Sequence, residues 1–349
     1  MTFSAYMPSI KEVVVGTKYI LNGVNNENYK LFGDAYDDSV TNSACINDIS
    51  NLVVGEGLID ASNTHNPYIN ISEQDFNLAV LDYEKQGACT FEIVWGSENK
   101  PAKIFHKPIE TIGLNVNENQ EINGYWYSYD WCKKWKYVPQ FYTKFNGEKP
   151  ENGVSILRIV RPSNEPLFPR PHWFPALRWA QDEGLMAQHS FSDIKTGFSG
   201  QKVINWAGGR GLTDAQKDDA ATKLRDKFSG INGQRIVVSV GNSPENAVIV
   251  DNIDPPNVNA TYVNYTEEAE RKILIAHSYP AILLAGSKTG FSSNADEIAV
   301  ATKSVFRRKI NPDRNVILSE LQKVFKLIEP SIVLDCKNFD SDNLDTNTK

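Results

Sequence analysis

The sequence predicts an α+β fold, and three features of its 349 residues carry that expectation. Helical periodicity occurs in a short block near the start and again through the second half. Between the two blocks runs a stretch of short segments rich in aromatic and β-branched residues. A proline-rich connector then separates the strands from the later helices, so the two kinds of element are segregated rather than alternating. A chain of this length can bury a large core, as one big domain or as two or three smaller ones.

Residues 1–40 read as irregular, with short strands expected at Val13–Val15 and Tyr19–Leu21 and Asn/Asp-rich loops between them. Ser43–Val54 carries Cys45/Ile46, Ile49 and Leu52/Val53 at helical spacing and stops at Gly55-Glu56-Gly57. A second helix starts at Ser72, where Ser72-Glu73-Gln74-Asp75 resembles a capping box, and ends at Gly87 after an apolar stripe of Phe76, Ala79/Val80 and Tyr83.

Six strands are expected next: Thr90–Trp95, Ala102–His106, Thr111–Val116, Ile122–Tyr129, Trp135–Phe141 and Ser155–Val160. The aromatic stretch from Tyr125 to Tyr137 reads first as a hairpin with packed cross-strand aromatics. Its alternative reading is a carbohydrate platform. Pro162, Pro166, Pro169, Pro171 and Pro175 stiffen the connector, which delivers a helix over Ala176–Lys195.

Val203–Trp206 is a short apolar piece followed by Gly208, Gly209 and Gly211. These glycines lack GxGxxG spacing, and no GxxxxGK[ST] run exists anywhere, which argues against nucleotide binding. Leu212–Ser229 reads as a helix capped by Thr213, with a narrow apolar stripe on a heavily charged body, suited equally to an exposed surface and to packing beside copies of itself. Arg235–Val240 and Ala247–Val250 are strand-like, joined by a turn at Asn242-Ser243-Pro244-Glu245-Asn246.

A helical pattern from Thr266 places Ala269, Ile273 and Leu274 on one side and stops near Tyr279, because Pro280 disfavours helical geometry in the residue before it. After the apolar run Ala281–Ala285 comes a loop with a single cation at its tip, Gly286-Ser287-Lys288-Thr289-Gly290-Phe291. Asn294 or Ser293 caps a much longer helical pattern that reaches Ile328, and Pro312 predicts two halves of about 15 residues joined by a kink. Lys303, Arg307, Arg308 and Lys309 crowd just ahead of that proline.

The order Ser278-Tyr279-Pro280-Ala281-Ile282-Leu283-Leu284-Ala285-Gly286, then Ser293-Asn294-Ala295-Asp296-Glu297, then Ile310-Asn311-Pro312 resembles the C-terminal half of tailed-phage portal proteins, which form the head-to-tail connector. The resemblance covers roughly residues 170 to 340, and Asn42–Leu58 is similar to an N-terminal helix of that family.

It implies a portal fold: a mixed wing from residues 1–211 and 296–334, stem helices at 212–230 and 258–280, a small β-containing clip at 231–257, and a tunnel loop at 281–295. The polar tail at 335–349 leaves the crown short or absent. It also implies a homo-oligomeric ring, twelve subunits in the family pattern, at one vertex of a virion capsid, passing double-stranded DNA during packaging and ejection. The implied partners are the major capsid protein, the large terminase and neck or adaptor proteins. Gly286, Ser287, Lys288, Thr289, Gly290 and Phe291 would line the DNA channel, and Asn242, Ser243, Pro244, Glu245 and Asn246 would dock partners. A portal-like protein of a gene-transfer particle fits the same pattern.

The net charge of -7 argues against a general nucleic-acid or membrane surface, yet suits a wall along which DNA slides. Cys45, Cys89, Cys132 and Cys336 show no CxxC spacing and read as reduced thiols of a protein made in the cytoplasm. No signal-peptide pattern and no bilayer-length apolar run are read. Dispersed histidines, with no HExxH and no GxSxG, predict a protein that is not an enzyme and uses no cofactor or metal. The rival function is a monomeric carbohydrate-binding or carbohydrate-active protein using residues 125–137.

Overall fold

The computed structural model describes residues 19–117, 121–165, 167–195, 202–206, 213–228, 236–240, 258–284 and 295–339. The chain divides into two compact units, one of residues 1–180 with 270–349 and one of residues 181–269. The chain crosses between them inside two helices, α4 (Leu177–Lys195) and α6 (Val258–His277).

The first unit opens with α1 (Glu27–Asp38), where an irregular segment was expected. Tyr29, Phe32 and Ala35 give it a buried stripe at helical spacing, and the polar residues around them hide that stripe in the sequence. Of the two expected early strands, Val13–Val15 lies outside the described residues, and Tyr19–Leu21 contributes an isolated bridge from Ile20 to Leu114. Helix α2 (Val40–Val54) is capped by Ser39, whose side chain accepts from Asn42 N. Helix α3 (Glu73–Gln86) has the predicted ends: Ser72 accepts from Asp75 N, and Gly87 closes the helix in the left-handed region with φ 79°.

The β-rich stretch forms one six-stranded sheet from β2 (Ala88–Trp95), β3 (Pro101–Lys107), β4 (Ile112–Val116), β5 (Ile122–Tyr127), β6 (Gln140–Lys144) and β7 (Val154–Val160). The spatial order is β3-β2-β7-β6-β5-β4, antiparallel throughout except for the β6–β7 pair. Five of the six expected strands occur close to where the sequence placed them. The strand expected at Trp135–Phe141 is shifted to Gln140–Lys144, because Pro139 cannot supply a ladder N–H and Asp130 caps a turn at Trp131–Lys133 in front of it. Cross-strand aromatics do pack, with Trp126 opposite Phe141 at 5.3 Å between ring centroids, but Trp135 stands clear of them at 82% exposure. A two-stranded ladder, β1 (Leu58–Asp60) with β10 (Leu334–Cys336), ties the two ends of this unit together. Asp60 fixes that junction by accepting from Ser62 N, Thr64 N, His65 N and Val333 N.

The main core lies where α2, α3 and α8 (Asn311–Ile328) pack with the sheet, and it contains Ile49, Phe76, Tyr83, Phe91, Ile317 and Phe325. Burying a side chain of this size contributes about 1.5–3 kcal/mol. A second cluster joins α1 to the connector and to α6, with the Phe32 and Trp173 rings meeting edge to face at 6.0 Å.

In the second unit, β8 (Lys202–Trp206) and β9 (Ile236–Val240) pair in parallel, with α5 (Asp214–Phe228) between them in sequence. Parallel pairing needs such a crossover. Thr213 and Gln216 cap α5 reciprocally, Thr213 N donating to Gln216 Oε1 and Gln216 N to Thr213 Oγ1. The strand-like run Ala247–Val250 lies outside the described residues.

Candidate functional site

Gly286 to Phe291 and Asn242 to Asn246, the residues that the sequence singles out, lie outside the described residues. The structure instead defines the two roots of the 285–294 segment and the elements that anchor them.

The upstream root is the end of α6. Ser278, at φ 52°, takes the left-handed position that glycine usually fills, Tyr279 N donates to Leu274 O, and Ser278 N donates to Ile275 O. These two bonds make a Schellman ending, and Leu274 and Tyr279 both belong to the main core. The Tyr279 hydroxyl donates to Asp48 on α2, and burial raises the Asp48 carboxyl above its ordinary range. A single 3-10 turn, Ala281–Leu283, then lays Ala281, Leu283 and Leu284 against the main core. The segment therefore departs from a fixed point.

The downstream root is α7 (Ala295–Val305), which runs through a π-helical turn at Phe306–Ile310 into α8. The sequence places the discontinuity at Pro312. In the structure it precedes the proline, which occupies the first turn of α8. Pro312 has no N–H for the Arg308 carbonyl, and its ring crowds that carbonyl. The helix widens by one residue instead, and Asn311 N donates to Phe306 O.

That wide turn splits the basic group. Lys303, Arg307 and Arg308 remain exposed, while Lys309 turns inward and is 8% exposed. Lys309 Nζ lies 2.8 Å from Glu84 Oε2 and 2.7 Å from Asp313 Oδ2. Arg161 completes the group, with Nη2 at 3.2 Å from Glu84 Oε2 and Nη1 at 2.9 Å from Asp313 Oδ1. Two cations thus balance two carboxylates in the interior, the condition under which buried charge is tolerated. Burial pushes the Glu84 carboxyl up, against the pull of Lys309 and Arg161. Burial works against the Arg161 charge too, but Glu84 and Asp313 outweigh it and raise its pKa.

From Lys309 a chain of hydrogen bonds runs to α2. Lys309 Nζ is 3.0 Å from His172 Nδ1, His172 Nε2 is 2.9 Å from His277 Nδ1, and His277 Nε2 is 2.8 Å from Asn42 Oδ1. An ammonium only donates, so His172 Nδ1 accepts and its proton sits on Nε2. The same step fixes His277 with its proton on Nε2, donating to Asn42. Both rings are therefore neutral. Burial and the nearby Lys309 and Arg161 lower both pKa values, that of His277 to about 3 and that of His172 well below the ordinary range.

Sequence reading missed this cluster, because its members come from five separate segments. The one local signal was the lysine beside the proline, which the basic run disguised. Among the described residues no group of His, Cys, Asp and Glu is arranged to hold a metal ion, and no helix is long and apolar enough to cross a membrane.

No family model and no curated protein matches the sequence. Solved structures match the fold. A chain in the virion of a native gene transfer agent particle aligns over 90% of this chain and 85% of its own, with a TM-score of 0.58 at 12% identity. A chain in the neck of that native particle, computed with C12 symmetry, gives 0.53 over 84% and 79%, also at 12% identity. An HK97 family phage portal protein from Corynebacterium diphtheriae covers 91% of this chain and 97% of its own, with a TM-score of 0.51 at 12% identity. The α+β chain described above, with its long broken helix, therefore has the fold of a phage portal protein.

Proposed function

We propose that this chain is the subunit of a portal: a homo-oligomeric ring of twelve copies at one capsid vertex, through which double-stranded DNA enters and leaves. The observation that carries this reading is the alignment of nine-tenths of the chain with a chain of a native gene transfer agent virion, joined by a match in a neck computed with C12 symmetry.

In this reading residues 1–211 and 296–334 supply the wing. The stem lies at 212–230 and 258–280 and the clip at 231–257. Asn242–Asn246 serve as the docking turn for a terminase and later for a neck protein. Residues 281–295 form the tunnel loop, and the capsid protein surrounds the wing. The work is mechanical and electrostatic. A chain of net charge -7 gives a channel that repels phosphates, while a ring of Lys288 side chains makes weak, salt-sensitive contacts at the narrowest point. No bond is made or broken by the ring itself.

The experiment is Lys288→Glu in a particle-forming system, with rings imaged in the same preparation. Rings of normal shape carrying shortened or leaking DNA support the channel role. Packaged DNA of unchanged length contradicts the role of the loop.

A further inference from the structure

Two charged patches of the first unit are each unfavourable in an isolated chain, and they are complementary to one another. The first is the outer face of α7 and the wide turn after it. Lys303 and Arg307 stand one helical turn apart and repel, Arg308 follows, and all three are exposed. None has an acidic residue three or four positions away, and none has an ion-pair partner among the described residues. The helix dipole gives no explanation, because the helix runs on into α8 and these cations sit in its middle. Beside them Val300 is 67% exposed, and every residue from 296 to 300 is exposed.

The second patch is the end of α1. Asp34, Asp37 and Asp38 are exposed on one face, with Asp34 and Asp38 a helical turn apart. They crowd the C-terminal end of a helix that has no basic residue in its last turn, the end where the dipole disfavours negative charge. Val40, just beyond, is 77% exposed. Each patch thus combines uncompensated charge of one sign with a bare β-branched side chain.

We infer that the Lys303/Arg307/Arg308 ridge of one copy docks on the Asp34/Asp37/Asp38 corner of the next copy, with Val300 and Val40 meeting at its centre. Different surfaces of the same chain then face each other, a head-to-tail contact that closes into a ring. This inference rests on the ring reading above and adds to it the surfaces that join neighbours. A DNA backbone also satisfies the cations, but it leaves the carboxylates and both valines unexplained.

The test uses the full chain, an Arg307→Glu/Arg308→Glu variant and an Asp37→Lys/Asp38→Lys variant. Assembly is followed by sedimentation at fixed salt, and thermal unfolding establishes that each variant is folded. Each reversed pair is expected to raise the concentration needed for assembly by about tenfold or more. An equimolar mixture of the two variants is expected to assemble as the wild type does, since every contact in an alternating ring again pairs opposite charges, a rescue that misfolding cannot imitate. Wild-type rings together with variants that assemble equally well overturn the pairing and leave the ring standing. Folded variants that stay apart when mixed also overturn it. So does a reversed ridge that assembles normally but loses salt-sensitive binding to a double-stranded DNA fragment, which assigns the ridge to phosphates. A wild-type chain that remains a monomer at every concentration overturns both readings.

Discussion

Lys309 Nζ lies 2.8 Å from Glu84 Oε2, joining the π-helical turn of the long helix to the last turn of α3 across 225 positions of sequence. The pair is buried, so its worth is set by what remains when one partner is removed. Lys309→Met leaves Glu84 and Asp313 sharing Arg161 alone, and is expected to destabilise the chain by about 3–5 kcal/mol. Removing the Glu84 charge as well, in Glu84→Gln/Lys309→Met, restores part of that loss. Urea unfolding of the wild type, both single variants and the double variant measures the coupling, and additive effects contradict it.

The two histidines make stability depend on pH. In the unfolded chain an imidazole takes up its proton near pH 6.5, whereas folded His277 does so only near pH 3 and folded His172 also lies well below its ordinary value. Between these limits the unfolded state binds more protons, so stability is fully present above pH 6.5 and falls as the pH drops towards 3. Each histidine contributes a slope of about 1.4 kcal/mol per pH unit. Lys309 and Arg161 face the rings as fixed cations, and Glu84 and Asp313 also border the cluster. The informative quantity is therefore wild type minus His277→Gln: that difference is expected to shrink from pH 7 to pH 4, and a difference that stays constant or grows contradicts a neutral buried ring.

Gly87 has no tolerance for a side chain. Its φ is +79°, and an added Cβ would stand 2.8 Å from the Arg170 carbonyl carbon and 2.9 Å from Pro171 N, both backbone atoms. Gly87→Ala is expected to cost about 1–3 kcal/mol through the left-handed conformation and the displaced connector. Thermal unfolding reads this, and an unchanged midpoint contradicts it.

Where a local rule governed the outcome, the sequence was legible. Ser72 and Gly87 marked both ends of α3, and Thr213 marked the start of α5, because capping is decided within four residues. Alternation with turn residues placed five strands of the large sheet. Non-local packing was opaque: α1 hides a three-residue buried stripe among charged neighbours, and the pairing of β8 with β9 spans a helix. The proline correctly announced a break, but which side of it would yield depended on the buried carboxylates that draw Lys309 inward. The order of loop, capped helix and proline was enough to suggest the portal fold, whereas the charge cluster beneath it depends on contacts between distant segments.

The aromatic stretch is the remaining discriminator against sugar binding. Trp126 and Phe141 are committed to each other, and Trp131 is buried, which leaves Trp135 as the exposed indole of the group. Tryptophan fluorescence is expected to be indifferent to simple sugars, and Trp135→Ala to change stability by no more than about 0.5 kcal/mol. Saturable quenching by a sugar, lost in that variant, favours the rival function.

The most direct measurement is the solution mass of the purified chain by native mass spectrometry, with negative-stain images of the same sample. A species near twelve times 39.1 kDa, showing a central hole, is the expected result. A single 39.1 kDa species at every concentration and salt condition, with no rings on the grid, contradicts the portal reading.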